Sequence, residues 1–270
     1  MPELPEVETT RRGIAPHVEG RVVTRAVLRR PDLRWPIARE IERVLVGQRV
    51  SHTTRRAKYL LLHSAPGAAV VHLGMSGSLR VLDGDVPVRA HDHVDLVLDD
   101  GRLLRFNDPR RFGCLLWQPA DTTHELLRDL GPEPLGDAFD GDYLFAQSRG
   151  RSAPVKAFLM DQRIVVGVGN IYVAEALFAA GVRPMRAAGK VTRRDYAELA
   201  DAIRRILAYA IERGGTTLRD FLKPDGEPGY FEQELFVYGR DGEPCKRCGT
   251  AITARRDAQR ASFYCRVCQR

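Results

Sequence analysis

The chain has 270 residues, enough for about two domains at ordinary domain sizes, and 44% of them are hydrophobic, enough for a core in each. Its net charge of +7 and pI near 9.4 favour a polyanionic partner over a cationic one. No run approaches the roughly 18 consecutive apolar residues of a spanning helix, which argues against a membrane protein and for a soluble chain from a reducing compartment.

The first element begins at once. Pro2-Glu3-Leu4-Pro5-Glu6-Val7-Glu8 opens a helix that should run from about Glu3 to His17 and break around Gly20. Met1 precedes a small residue and is expected to be trimmed, leaving Pro2 as the chain terminus. A terminal amine titrates at about 7.7–8.0, far below a lysine, so its nucleophilic form is available near neutrality. A secondary amine condensed with an aldehyde gives a cationic iminium, a good electron sink. Two readings stand: a nucleophile flanked by Glu3 and Glu6, or a first-turn proline with glutamates that suit the positive end of a helix.

From Arg21 to about Trp117 the pattern turns β-rich. Val22–Leu28, Tyr59–His63, Ala69–Leu73, His93–Leu98, Leu103–Phe106 and Cys114–Trp117 are short apolar runs separated by Pro, Gly and Asp turns, as in a sandwich or barrel. A linker is expected at Gly131-Pro132-Glu133-Pro134. After it, Ser152 should cap a helix reaching Asp161 with Pro154 in its first turn, and Asn170 should cap one ending at Ala180. Thr192 and Asp195 resemble a capping box. Tyr196, Leu199, Ala200, Ile203, Leu207 and Ala210 then keep helical spacing up to Gly214-Gly215.

Four cysteines close the chain. Cys245, Cys248, Cys265 and Cys268 form C-x2-C-x16-C-x2-C, the spacing of a four-thiolate zinc site. Disulfides fit less well, because Cys114 would be left over and no leader sequence points to an oxidising compartment. Four thiolates leave no open position, so this one zinc is structural. Eight Lys/Arg against three Asp/Glu from Arg240 to Arg270 suit the hairpin to a phosphate backbone. Lysines are scarce, five among 42 basic residues, which gives Lys58 and Lys156 individual weight.

Other segments carry chemistry with an alternative beside each. Gly167-Val168-Gly169-Asn170 could clamp a phosphate at a helix N-terminus, or be an interhelix turn. Met75, between glycines, and Phe112, beside Arg110 and Arg111, could wedge into a base stack or tuck under their loops. His91-Asp92-His93 could bind metal or form a hydrogen-bonded turn.

Together these segments resemble one family over essentially the whole chain, bacterial formamidopyrimidine-DNA glycosylase. The resemblance is carried by Pro2 to Thr9, Arg56-Ala57-Lys58-Tyr59, His72-Leu73-Gly74-Met75-Ser76-Gly77, Asp108-Pro109-Arg110-Arg111-Phe112-Gly113, Val166 to Tyr172, and Ala258-Gln259-Arg260. It implies an α+β chain: an N-terminal helix and β-sandwich domain (1–131), a helical helix-two-turns-helix domain (132–239), and a zinc-finger β-hairpin (240–270). It implies a bifunctional repair glycosylase and abasic-site lyase acting on double-stranded DNA with oxidised purines (8-oxoguanine, formamidopyrimidines) or abasic sites. By that resemblance Pro2 is the nucleophile, Glu3 the general acid, Glu6 a site-holding carboxylate, Lys58 the β-elimination lysine and Arg260 the δ-elimination arginine. His91, Arg110, Arg151, Lys156 and Asn170 fall on DNA-contacting positions, and Met75, Arg110 and Phe112 on the triad that fills the flipped base's place. A monomer in the bacterial cytoplasm, associated with the nucleoid, is expected. The rival readings are an endonuclease VIII-like enzyme for oxidised pyrimidines, against which Leu4 speaks, and a catalytically silent lesion-binding homologue. Preference among oxidised purines should depend on a loop near Thr216–Tyr230.

Overall fold

The computed structural model describes residues 2–84, 86–215, 235–257 and 260–270. Met1, Ala258, Gln259 and the loop near Thr216–Tyr230, on which sequence expectations fall, lie outside the described residues. The chain divides into two units, one of Met1–Arg128 and Arg213–Glu232, the other of Asp129–Glu212 and Gln233–Arg270.

In the first unit α1 (Leu4–Val18) is followed by β1 (Val23–Leu28), the short α2 (Glu40–Arg43), β2 (His52–Arg56), β3 (Tyr59–Ser64), β4 (Gly67–His72), β5 (Ser78–Leu82), β6 (Asp92–Leu98), β7 (Leu103–Asn107), β8 (Cys114–Pro119) and α3 (Glu125–Arg128). The strands form two antiparallel four-stranded sheets, ordered β1-β6-β7-β5 and β2-β3-β4-β8. Period-2 alternation puts Leu60 and Leu62 of β3, Ala69 and Val71 of β4, and Leu96, Leu104 and Phe106 of β6 and β7 into one core. Val7, Ile14 and Val18, on one face of α1, join it. That anchor fixes the helix whose N-terminus carries Pro2 and Glu3.

The sequence expectation omitted β2 and β5. His52-Thr53-Thr54-Arg55-Arg56 has no apolar run to signal a strand, and becomes one because β3 offers it a ladder. α1 starts where expected.

In the second unit come α4 (Gly141–Ser148), α5 (Val155–Met160), α6 (Asn170–Ala179), a 3-10 turn (Ala188–Lys190), α7 (Arg193–Glu212), and the hairpin β9 (Thr253–Asp257) and β10 (Arg260–Tyr264). α6 buries every residue from Ile171 to Phe178, so it is the central helix, and α7 buries all six of its anticipated positions. The Thr192–Asp195 box forms, with Asp195 N–H donating to Thr192 Oγ1 at 3.1 Å. Two caps differ from expectation. Pro154, not Ser152, is the N-cap of α5, because Val155 N–H is taken by Arg186 O and the helix cannot start earlier. Gly169, not Asn170, caps α6, which frees the Asn170 side chain to reach Ala261. Among the described residues no helix is long and apolar enough to cross a membrane.

Candidate active site

Pro2 and Glu3 stand at the first turn of α1, both buried. Glu3 N–H donates to Glu6 Oε2 at 2.8 Å, while the Glu3 carboxylate accepts the Glu6 backbone N–H. This reciprocal capping, aided by the positive helix end, holds two carboxylates that are 1% and 0% exposed. The cap is the one that the helix-start reading expects, and it fixes the orientation of the Glu3 carboxylate at the start of α1. Gly215 packs against Glu6, where its φ of +80° and the closeness of Glu6 Oε1 leave no easy room for a side chain.

Lys58 (9% exposed) sits on the β2–β3 turn behind Ala57, a non-glycine residue at φ 55°. Arg55 Nη1 donates to Ala57 O at 2.8 Å, and Arg55 Nε lies 3.4 Å from Glu8 Oε2. Glu8 also takes Arg11 and Arg12, each at 2.8 Å. Burial works against ionising Glu8, but those arginines prevail and hold its carboxyl below the usual range. Glu8 and Arg55 therefore tie the lysine turn to α1. Neither was singled out from sequence; Glu8, one turn along the helix face from Pro5, was the available signal.

His72 ends β4 with Nδ1 accepting Gly74 N–H at 2.9 Å. Burial, and then the charges of Lys58 and Arg34, push its pKa down to about 4. The folded pKa is depressed, so the neutral ring persists until pH falls to about 4, where protonation would remove the acceptor holding Gly74. The His72 imidazole should therefore show no NMR titration between about pH 5.5 and 8, where an unperturbed histidine titrates. A midpoint near 6.5 would remove this lock.

Two loops of the same unit meet beyond Gly74. Arg110 Nη2 donates to Met75 O at 3.0 Å, Ser76 Oγ to Asp108 Oδ1 at 3.2 Å, and Gly113 N–H to Asp108 Oδ2 at 2.8 Å. Phe112 is 48% exposed, so it is not tucked under its loop; Met75 is half-buried. Exposed His91 adjoins them through its carbonyl, which accepts Asp108 N–H. In His91-Asp92-His93 only His91 lies in a turn; Asp92 and His93 open β6, and both side chains are hydrogen-bonded. Asp92 is taken by Arg89 N–H, Arg105 and Asn107, and His93 Nε2 donates to Asp108 O.

In the second unit Lys156 Nζ donates to Ala261 O at 2.7 Å and Ser262 Oγ at 2.9 Å, and Asn170 Nδ2 to Ala261 O at 3.2 Å. The strand that begins at Arg260 thus gathers two of the anticipated phosphate-contacting residues. Arg260 itself is exposed, its guanidinium near Met160 Sδ. Arg151 lies elsewhere, bonded to Gln147 O with its guanidinium over the Phe158 ring.

The ligand atoms of Cys245, Cys248, Cys265 and Cys268 all lie within 4.8 Å of one another. Cys245–Cys268 and Cys248–Cys265 are 3.9 and 3.5 Å apart. Tetrahedral Zn–S bonds of about 2.3 Å require sulfurs about 3.8 Å apart. The set fits one structural zinc ion.

Three family models match the chain: the formamidopyrimidine-DNA glycosylase N-terminal domain over residues 1–115, the formamidopyrimidine-DNA glycosylase H2TH domain over 130–222, and the zinc finger found in FPG and IleRS over 242–270. The chain is 70% identical to the formamidopyrimidine-DNA glycosylase of Stenotrophomonas maltophilia (strain K279a) over all of both chains. It is 65% identical to that of Xanthomonas campestris pv. campestris (strain B100), again over 100% of each. Among solved structures it is similar to the MutM (Fpg) protein of Thermus thermophilus, with TM-score 0.90, 42% identity and coverage of 99% and 98%. A Lactococcus lactis Fpg mutant in complex with Fapy-dG containing DNA gives TM-score 0.93 and 32% identity, with both chains fully covered.

Proposed function

Because the chain belongs to the formamidopyrimidine-DNA glycosylase family, we propose that its Pro2 nitrogen, freed by loss of Met1, attacks C1′ of an oxidised purine nucleotide swung out of the duplex. The protein is a base-excision repair glycosylase for oxidised purines with abasic-site lyase activity, acting on lesion-bearing double-stranded DNA. As the Pro2–C1′ bond forms, the C1′–base bond breaks and its electron pair leaves with the base, which takes up a proton as the Pro2 nitrogen gives up its own. Glu3 gives a proton to the sugar ring oxygen as the C1′–O4′ bond opens, leaving a cationic iminium between Pro2 and C1′. The iminium draws electrons from C2′–H, so that proton departs and the 3′ phosphate leaves. A second elimination through C4′ releases the 5′ phosphate. Lys58 serves the first elimination and Arg260 the second, each as a cation beside a departing phosphate.

His91, Arg110, Arg151, Lys156 and Asn170 contact DNA in this reading. Met75, Arg110 and Phe112 occupy the gap left by the flipped nucleotide, offsetting part of the unstacking cost. The functional division is 1–131 for base excision and the first elimination, 132–239 for the helix-two-turns-helix grip and 240–270 for the zinc hairpin, which carries Arg260. The protein works as a monomer in the bacterial cytoplasm, at the nucleoid.

The observation that carries the reading is the reciprocal Glu3–Glu6 cap, which keeps a buried carboxylate beside the N-terminal proline. Borohydride should trap the protein on 8-oxoguanine or abasic duplex, and mass spectrometry should find the sugar on a peptide beginning at Pro2. Absence of any adduct, or an adduct elsewhere, would overturn it.

A further inference from the structure

We propose that Asp108 is a positioning residue that assembles Met75, Arg110 and Phe112 into one preformed wedge. This rests on the reading of those three side chains as the filler of the emptied base position.

Asp108 is 0% exposed, and its carboxylate contacts run to the two loops that carry Met75 and Phe112. One carboxylate oxygen takes the hydroxyl of Ser76, next to Met75, and the other takes the N–H of Gly113, next to Phe112. Its own N–H donates to His91 O, and its carbonyl accepts from His93 Nε2 and Arg111 N–H. The two loops are already in backbone contact. A Cβ on Gly74 would overlap Phe112 and Gly113, and one on Gly113 would overlap His72 O. Arg110 closes the assembly by donating to Met75 O.

A buried carboxylate is costly unless its lone pairs are occupied, so the bonds that compensate Asp108's burial are the same ones that hold Ser76 and Gly113 in place. Three side chains that must enter one gap in a base stack then do so together, with their loops ordered before DNA arrives. Without the staple, Met75 and the Arg110–Phe112 pair would have to be ordered at the moment of insertion. The cost would fall on extruding a base rather than on sugar chemistry.

The chemistry of the staple supplies its own control. In Asp108→Asn the side-chain oxygen can still accept Gly113 N–H, and its amide can donate to Ser76 Oγ, since a hydroxyl also accepts. Asp108→Ala removes both links. We expect Asp108→Ala to slow single-turnover 8-oxoguanine excision by about 30-fold and cleavage of an abasic duplex, which has no base to extrude, by no more than about threefold. Asp108→Asn should stay within about threefold on both substrates, and Ser76→Ala, cutting one link only, should show the same asymmetry at about fivefold. A 2-aminopurine beside the lesion should lose its fast unstacking signal in Asp108→Ala.

Equal losses on the two substrates, or none, would overturn the proposal; equal losses with a lowered Tm would assign Asp108 to the fold alone. If Asp108→Ala does not fold, Ser76→Ala decides the matter by the same ratio. A wild-type protein that neither excises nor forms a borohydride adduct would instead overturn the reading on which the proposal stands.

Discussion

Glu3→Gln should lower 8-oxoguanine excision by about 10³-fold, within the usual range for losing a general acid, while strand cleavage at a preformed abasic site falls far less. Glutamine keeps the acceptor oxygen that takes Glu6 N–H, so the start of α1 and the seat of Pro2 persist; what is lost is a transferable proton. Excision needs that proton because the sugar ring must open as the Pro2 bond forms. An abasic sugar already presents an open aldehyde fraction, so its condensation with Pro2 needs less help. Single-turnover rates on the two duplexes provide the measurement. If both fall alike, Glu3 holds the helix start and nothing more.

The legible parts of this molecule are those whose cause is local. The α1 start, the Thr192–Asp195 box and the two C-x2-C pairs are set by residues within a turn of one another, and each could be named from the chain alone. The two revised caps show the limit of that locality. Ser152 and Asn170 are good capping types, yet Val155 N–H is claimed by Arg186 O and Asn170 by Ala261 O. β2 was invisible because its residues are polar and its ladder partner decides it.

Roles set by distant contacts were illegible for the same reason. Asp108 reads as a turn residue until Ser76, 32 positions away, is seen to donate to it. Glu8 reads as helix surface until Arg55 links it to the Lys58 turn. Lys156 and Asn170 were named by resemblance, but not their meeting at Ala261, 105 and 91 residues on. The resemblance supplied candidate roles; packing shows which of those residues meet.

The hairpin tests how far one metal ion supports DNA binding. The apolar cluster there contains Ala174, Phe178, Val237, Cys245, Ile252 and Cys265, and two of its six members are themselves zinc ligands. Such a core cannot order a strand pair alone, whereas structural zinc contributes about 10–16 kcal/mol of folding free energy near neutral pH. Cys248→Ser is the informative variant because Cys248 is exposed, so the substitution removes a ligand without opening the core. It should release the zinc, and with it the β10 backbone that holds Lys156 Nζ at Ala261 O and Ser262 Oγ. Lys156 is buried, and an ammonium that loses two of its acceptors is costlier to keep in that position. Affinity for lesion duplex should then fall by at least about 100-fold, as expected when several phosphate contacts are lost together, while the β-sandwich signal in circular dichroism persists. Chelation of the wild type should reproduce this, and added zinc should reverse it. Metal-free Cys248→Ser protein that still bound duplex tightly would mean that α5 and α6 grip DNA without the hairpin and that Lys156 finds its partner elsewhere.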